Sequence, residues 1–436
     1  MTAASAALLA GSFVPGEAVG QARPPVEKPP AEKPPAEKLP AERPPASSTR
    51  RPTAPGTRQT SAATKAATPA KPTATYWVYV GAESADLIHR IKFGPEGAKV
   101  ERTIGAGEMA AETEGPHGLQ ISADGKYLHM TTGHGSPDGK YWKYELGPDT
   151  LVGESIFLGN FPASIDVTPD GLYAFAVNFN LHGEMVPSSV SVIYTPTNTE
   201  VARPVTCTMP HGSRISADGT KQYSTCMMDD QLVEVDTRTF KVSRRFNLAK
   251  GKEGPVDLVA FEAMLKEMMP DDSTGQPAHK HQMAPVTCSP TWAQPSATGS
   301  KIYVACNKSD EILEIDAKTW TLSRRFTAGR APYNLAVTPD GKLLVVSLKA
   351  GSGVQVFDLA TGKSVMTEKT SITLAHGVTV SPDSRYAFVS VEGKGAQPGK
   401  VDIFDLRALA KAATVDVGQQ ASGITFWKME KPGTKD

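Results

Sequence analysis

One pattern recurs down this chain: a polar lead-in, a short apolar strand, an Asp-Gly turn and a second strand. The clearest copies read GPHGLQISADGKYL (Gly115 to Leu128), FPASIDVTPDGLYAF (Phe161 to Phe175), APYNLAVTPDGKLLV (Ala331 to Val345) and LAHGVTVSPDSRYAFV (Leu374 to Val389). The turns fall at Asp124, Asp170, Asp218, Thr298, Asp340 and Asp383. A repeat of about forty residues built from short strands points to an all-β ring of blades, a β-propeller.

Within one repeat the expected strands are Ser213 to Ala217 (strand A), Gln222 to Met227 (B), Leu232 to Asp236 (C) and Lys241 to Leu248 (D). They are short, rich in β-branched and aromatic residues, and separated by turn residues at regular spacing. The following repeat matches closely, with KIYVACNKSDEILEIDAKTWTLSRRF (Lys301 to Phe326) beside KQYSTCMMDDQLVEVDTRTFKVSRRF (Lys221 to Phe246). Six copies are complete, and the chain ends supply a seventh. Gly423 to Trp427 reads as a strand A with no blade after it, while Tyr76 to Val80 and Leu87 to Phe93 read as strands B and C with no strand A before them. Joining them closes the ring and removes its open edge. The expected propeller therefore spans residues 73–430 and has seven blades.

The 436 residues carry a formal net charge of +0, so no global field favours nucleic acid or an anionic membrane. Residues 1–22 hold an apolar run from Ala3 to Val14 and then small residues to Ala22, the pattern of a secretory signal peptide. Its basic leading segment is missing, as it would be with a start codon placed too late; an Ala-rich tail is the alternative. The run is too short to span a bilayer, and no transmembrane segment is expected. Residues 23–72 repeat a Pro-rich unit (PPVEKPPAEKPPAEKLPAERPP) before a Ser/Thr/Ala/Pro tract. Proline removes donors and fixes φ, so this segment is expected to be an extended linker. At about 3.1 Å per residue it could reach on the order of 150 Å.

On these repeats the chain resembles the YVTN-repeat, YncE-like bacterial propellers over residues 76–427. The resemblance implies a seven-bladed, extracytoplasmic, WD40-like protein. It implies no shared catalytic set, because propellers host many unrelated activities.

In a propeller the D-to-A and B-to-C connections share the face around the channel mouth. Aligning the lead-in position around the ring gives His117, Ala163, His211, Thr291, Tyr333, His376 and Ser422. His134, His182, Cys226, Met227, Met228 and Cys306 belong to B-to-C connections on that face. An insertion, residues 249–286, leaves from a D-to-A connection; its Asp257 to Asp272 segment has helical periodicity, and it is expected to form a lid. Neutral imidazole suits Cu and Zn, and Met sulfur adds a preference for copper. The candidate metal ligands are His117, His211 and His376 as an inner set, with His134, His279, His281 and Met283 from loop and insertion. Imidazoles that satisfy loop backbone, and pH-dependent partner binding, are the competing readings.

Cys207 and Cys226 lie just before strand A and at the end of strand B of one blade, and Cys288 and Cys306 occupy the same places in the next. In an exported chain with an even count they read as disulfides Cys207–Cys226 and Cys288–Cys306, thiolate metal ligation being the alternative. The sequence contains no Walker loop, nucleophile elbow, dinucleotide fingerprint, haem-attachment motif or H-E-x-x-H. Arg244-Arg245 and Arg324-Arg325 are expected as solvated edge charges. The functional expectation is a scaffold that binds a ligand or protein at the channel mouth. A copper protein, including an oxidoreductase, is second. A lactonase-like hydrolase drawing on Asp166, Asn178 and Glu392 is third.

Overall fold

The computed structural model describes residues 68–109, 111–134, 138–268 and 285–433. The expected signal peptide, nearly all of the linker, and His279, His281 and Met283 lie outside the described residues. Seven antiparallel sheets form the blades of a β-propeller. The innermost strands are Pro116–Ile121, Pro162–Val167, Pro210–Ile215, Pro290–Pro295, Pro332–Val337, Ala375–Val380 and Ala421–Glu430, which define blades 1 to 7. In blade 7 the C-terminal strand pairs antiparallel with Thr75–Ala82, followed outward by Leu87–Gly94 and Gly97–Gly105. Ring closure therefore joins the two ends of the propeller, with Tyr76, Val78 and Val80 buried beside Ile424 in one core cluster.

The Asp-Gly signature has a direct physical role. Asp124 accepts from the hydroxyl of Ser122 and the N–H of Lys126, while the Ser122 hydroxyl accepts from the N–H of Tyr127. The same three bonds recur around Thr168/Asp170, Ser216/Asp218 and Thr338/Asp340. The glycine after each aspartate holds a left-handed φ, +70° at Gly125 and +72° at Gly171. These local bonds set the A–B hairpin before any distant contact forms.

Every inner strand carries one extra residue near its start. Pro116 pairs with Thr132 and Gly118 with Thr131, so His117 bulges out of register. Equivalent shifts occur in the other six blades, at Ala163, His211, Thr291, Tyr333, His376 and Ser422. Two residues before each bulge the backbone is left-handed: Gly115, Phe161, Met209, Ser289, Ala331, Leu374 and Gln420 all have positive φ. A bulge re-aims the side chain that it frees, here toward the axis. Where the next residue is glycine, the neighbouring blade is too close for a side chain. A Cβ on Gly118 would lie 2.9 Å from Ser164 Cα, and one on Gly423 would lie 2.1 Å from the His117 carbonyl.

The four cysteines form two disulfides, Cys207–Cys226 and Cys288–Cys306, each between a lead-in and the end of its own strand B. The insertion contains the helix Leu258–Met268, started by Asp257, whose carboxylate accepts from the N–H of Val259. Phe261 from this helix covers the Arg245 guanidinium at 3.9 Å, and Glu253 pairs with Arg325 in blade 4. The described part of the insertion thus packs on the outer strands of blades 3 and 4. The expectation of solvated edge arginines is corrected here. Arg244 pairs with Glu234, stacks on Trp320 and donates to the Ala317 carbonyl of blade 4, and Arg324 bridges Glu314 to the Leu359 carbonyl of blade 5.

Replacing Gly423 by Ala should cost about 1–3 kcal/mol, because the methyl group meets backbone of the adjoining blade. Gly105→Ala, where no atom stands within 4 Å of the new Cβ, should change stability by less than about 0.5 kcal/mol. Urea unfolding of the two variants checks the contrast; equal losses would mean that the inter-blade gap can relax.

Candidate functional site

The bulges place one residue per blade around the channel mouth, and a second ring stands just outside them. The residue following each strand B donates its N–H to the carbonyl of the left-handed residue. The pairs are Glu83 to Gln420, Gly133 to Gly115, Phe179 to Phe161, Met227 to Met209, Asn307 to Ser289, Lys349 to Ala331 and Glu392 to Leu374. These donors are equivalent positions, and their side chains set the character of the rim. Lys349, Glu392 and Glu83 are contiguous in blades 5, 6 and 7. Phe179 and Met227 follow in blades 2 and 3, where Phe161 and Ala163 join them in an apolar cluster.

The two rings enclose a cavity of about 540 Å³. Glu83, His117, His134, Lys349, His376 and Glu392 line it from blades 5, 6, 7 and 1, and Phe161, Phe179 and Leu181 from blade 2. No lining residue comes from the described part of the insertion.

The histidines divide their two nitrogens between structure and cavity. His117 Nδ1 lies 2.5 Å from the Ala163 carbonyl, and His211 Nδ1 lies 2.9 Å from the Thr291 carbonyl. A carbonyl only accepts, so each Nδ1 carries a proton, and the neutral ring of His211 presents a lone pair at Nε2. The His211 lone pair is taken by the Tyr333 hydroxyl, 2.9 Å away. His376 departs from this pattern: the Ser422 carbonyl stands beside its Nδ1 but outside hydrogen-bond geometry, and that carbonyl accepts from the Ser390 hydroxyl. The rings of His117 and His376 lie edge to face at 5.3 Å, and Tyr333 lies 4.7 Å from His376.

Glu83 organises the charged side. Its Oε1 meets His134 Nε2 at 2.9 Å, and its Oε2 faces His117 Nε2 at 3.7 Å. His134 Nδ1 continues to His182 Nε2 at 3.1 Å. Gly115 makes this packing possible, because a Cβ there would lie 2.8 Å from the His134 ring and 2.9 Å from Glu83 Cγ. Lys349 donates to Glu392 at 2.9 Å and stands 4.3 Å over the Tyr333 ring.

Burial alone would raise the Glu83 carboxyl, but His117, His134 and Lys349 outweigh it and hold the group below its usual range. Burial would likewise discharge Lys349, yet Tyr333, Glu392 and Glu83 raise its pKa instead. Burial drives His211 down to about 3, helped by His117 and opposed by its bond to the Thr291 carbonyl. His376 is pushed well below its ordinary value by burial and by Lys349. Tyr333 is raised to about 12, mainly by burial. At neutral pH the site combines neutral imidazoles at His211 and His376 with the Lys349 ammonium and the Glu83 carboxylate.

Of the expected inner set, His117, His211 and His376 do meet at the mouth, and His134 joins them through Glu83. Among the described residues, no group of three or more His, Cys, Asp and Glu stands at metal-holding geometry. His129 is buried inside blade 1 against the Tyr141 hydroxyl, and His89 bridges Thr103 and the Gly418 N–H. Asp166, Asn178 and Glu392 do not converge. Asn178 is bonded to Gly159, Ser189 and Ser191 within blade 2, and Asp166 caps the Ile215 N–H of blade 3. Glu83 and Lys349 were not singled out from the sequence. The available signal was their fixed place one residue after strand B.

Fold and site together define a seven-bladed β-propeller with a polar pocket at one channel mouth. It is similar in fold to the periplasmic gluconolactonase PpgL of Pseudomonas aeruginosa (17% identity, 81% of this chain and 99% of that one, TM-score 0.57). A functionally unknown protein from Desulfotomaculum acetoxidans matches at 13% identity over 80% and 98% of the two chains, TM-score 0.57. Kuenenia stuttgartiensis hydrazine synthase matches at 17% identity over 72% and 91%, TM-score 0.52. At these identities the likeness shows the fold alone. No family profile and no curated protein matches the chain.

The depressed His211 pKa makes stability depend on acid. Between about pH 6.5 and 3 the unfolded imidazole binds a proton that the folded one refuses, so stability falls as pH falls through this window. The slope from one such group is at most about 1.4 kcal/mol per pH unit. Unfolding free energies measured from pH 7 to 4 should show the loss, and His211→Gln should reduce the slope by one group's share, with His129 and His376 supplying the rest. An unchanged slope in that variant would mean that His211 titrates normally.

Proposed function

We propose that this chain is an extracytoplasmic binding propeller of the YVTN-repeat, YncE-like kind, which takes a small molecule into the mouth cavity. One observation carries the reading: the cavity of about 540 Å³ is lined by charged and hydrogen-bonding groups together with Phe161, Phe179 and Leu181 of blade 2. A concave site of that size, with few convergent polar groups against apolar walls, suits a small ligand better than a flat protein surface. The two disulfides and the secretory pattern of residues 1–22 support a periplasmic or secreted location, with residues 23–72 as spacer.

A transition-metal ion, copper first, is the second reading. The observation in its favour is the carbonyl-bound Nδ1 of His117, which leaves Nε2 as the donor atom of a ligand. His211 is a poor member of that set, since its Nε2 already accepts from Tyr333. A lactonase-like hydrolase ranks third, because Asn178 is committed within its blade and Glu392 is held by Lys349.

Screening small polar molecules against tag-free protein tests the first reading. A true ligand should shift the aromatic resonances of Phe161, Phe179 and His117. At a hundredfold excess over Kd it should stabilise the fold by about 2.7 kcal/mol. His117→Ala should weaken it at least about tenfold, a loss near 1.4 kcal/mol. Ligands that perturb only other surfaces would overturn the assignment. Elemental analysis of the same preparation decides the second reading. Less than about 0.1 equivalent of Cu, Zn or Fe after reconstitution would remove it.

A further inference from the structure

The two carboxylates at the mouth are partnered differently. Lys349 is spent on Glu392 at 2.9 Å. Glu83 is 2% exposed and has no lysine or arginine within ion-pair distance among the described residues. Its Oε1 is taken by His134, while its Oε2 has no hydrogen-bond donor and faces His117 Nε2 at 3.7 Å. The Nδ1 proton of His117 is committed to the Ala163 carbonyl, so a bound cation that replaces any proton on Nε2 meets a lone pair there. With Nε2 unprotonated, two acceptors, one of them a buried anion, face each other inside the cavity at 3.7 Å. His117, His134 and Lys349 already offset part of the desolvation of this carboxylate, and a partner that brings positive charge and hydrogen-bond donors to Oε2 stabilises it further.

The walls around this pair select among cations. Phe161 packs edge to face against His117 at 5.2 Å and against His134 at 5.0 Å, and it lines the cavity with Phe179. Aromatic faces beside a carboxylate favour an organic cation over a bare ion. The Lys349 ammonium on the same cavity opposes a multivalent cation more strongly than a monovalent one. The apolar side, Phe161, Phe179 and Leu181, gives a carbon chain somewhere to lie.

We propose that the mouth cavity recognises a primary organic ammonium, with Glu83 Oε2 and His117 Nε2 accepting its N–H groups and the aromatic side holding its carbon chain. This rests on the small-molecule reading of the cavity and specifies the class of ligand. The separation of 3.7 Å between the two acceptors lets one small donor group bridge them. Ser84 and Gln420, which also line the cavity, extend the polar wall beside Glu83.

The test compares charged and neutral probes of equal length on the full chain: 1,4-diaminobutane against 1,4-butanediol, and butylammonium against tetramethylammonium. Binding is read by the His117 and Phe161 resonances. The diamine should bind at least about tenfold tighter than the diol, and butylammonium tighter than tetramethylammonium, which has no N–H to donate. Glu83→Gln should abolish the preference for the diamine while leaving the fold intact by circular dichroism. Should that variant not fold, displacement of the diamine by rising salt in the wild type reads the same charge dependence. Equal affinity for diamine and diol, with both still shifting His117, would overturn the ammonium assignment and leave the binding cavity standing. Stoichiometric Zn²⁺ or Cu²⁺ that displaces the diamine would overturn it in favour of the metal reading. If neither the probes nor any screened molecule perturbs these resonances, the small-molecule reading itself falls.

Discussion

The structure depends on how seven inner strands can approach one axis without colliding. Each solves the problem with the same device, a left-handed residue, one intervening residue and a bulged residue. The left-handed residue turns the chain into the channel, and its carbonyl is bonded by the residue that ends strand B. The bulge then releases a side chain toward the axis instead of into a blade. Six of the seven left-handed residues are not glycine, so the geometry is held against its intrinsic cost by the bonds around it. Positioning of the mouth side chains is therefore a property of the scaffold, and residue identity can vary above it.

Inter-blade hydrogen bonds use the same feature. His117 and His211 donate from Nδ1 to carbonyls of the next blade, and the Thr291 hydroxyl does so toward Tyr333. The hydroxyls of Thr131, Ser347 and Ser390 add bonds from strand B to the neighbouring inner strand. Each contributes about 1 kcal/mol net, but leaving one of these buried carbonyls unpaired would cost more. His117 is thus structural at Nδ1 and open for chemistry at Nε2, whereas Tyr333 occupies the Nε2 of His211 and the Nδ1 of His376 is unbonded. The competing readings of these residues describe opposite edges of one ring.

The fold was legible because the Asp-Gly turn is a local device whose residues bond to one another, as Ser122, Asp124 and Tyr127 do. Ring closure was legible because Gly423 to Trp427 and Tyr76 to Val80 each lacked a partner that the other supplied. The bulged ring could be read from the repeat, since His117, His211 and His376 keep the same offset from their turns. The second ring could not. Glu83, Gly133, Phe179, Met227, Asn307, Lys349 and Glu392 share a position but no residue type, and their common role appears only through the carbonyls they bond. Nor could the sequence show that Tyr333 occupies the Nε2 of His211, or that Arg244 reaches across to blade 4. Those facts depend on side-chain direction between blades, which repeat spacing does not carry.

The charged side of the mouth lies across the closure itself. Glu83 follows the N-terminal strand Thr75–Ala82, whereas Gln420 and Ser422 come from the lead-in and start of the C-terminal strand. The Glu83 N–H reaches the Gln420 carbonyl at 3.0 Å, and the Ser84 hydroxyl bonds the Gln420 side chain. The Ser422 hydroxyl in turn donates to the Pro116 carbonyl beside His117. If the closing strand separated, Glu83 would lose the contact that fixes its backbone, and His117 would lose a neighbour of its own strand. Were the proposed ammonium to sit between Glu83 and His117, its binding free energy would also oppose opening of the seam. In this propeller the seam that holds the ring together and the pocket at its mouth share Glu83, Ser84 and Gln420, so the closing contact also shapes the pocket wall.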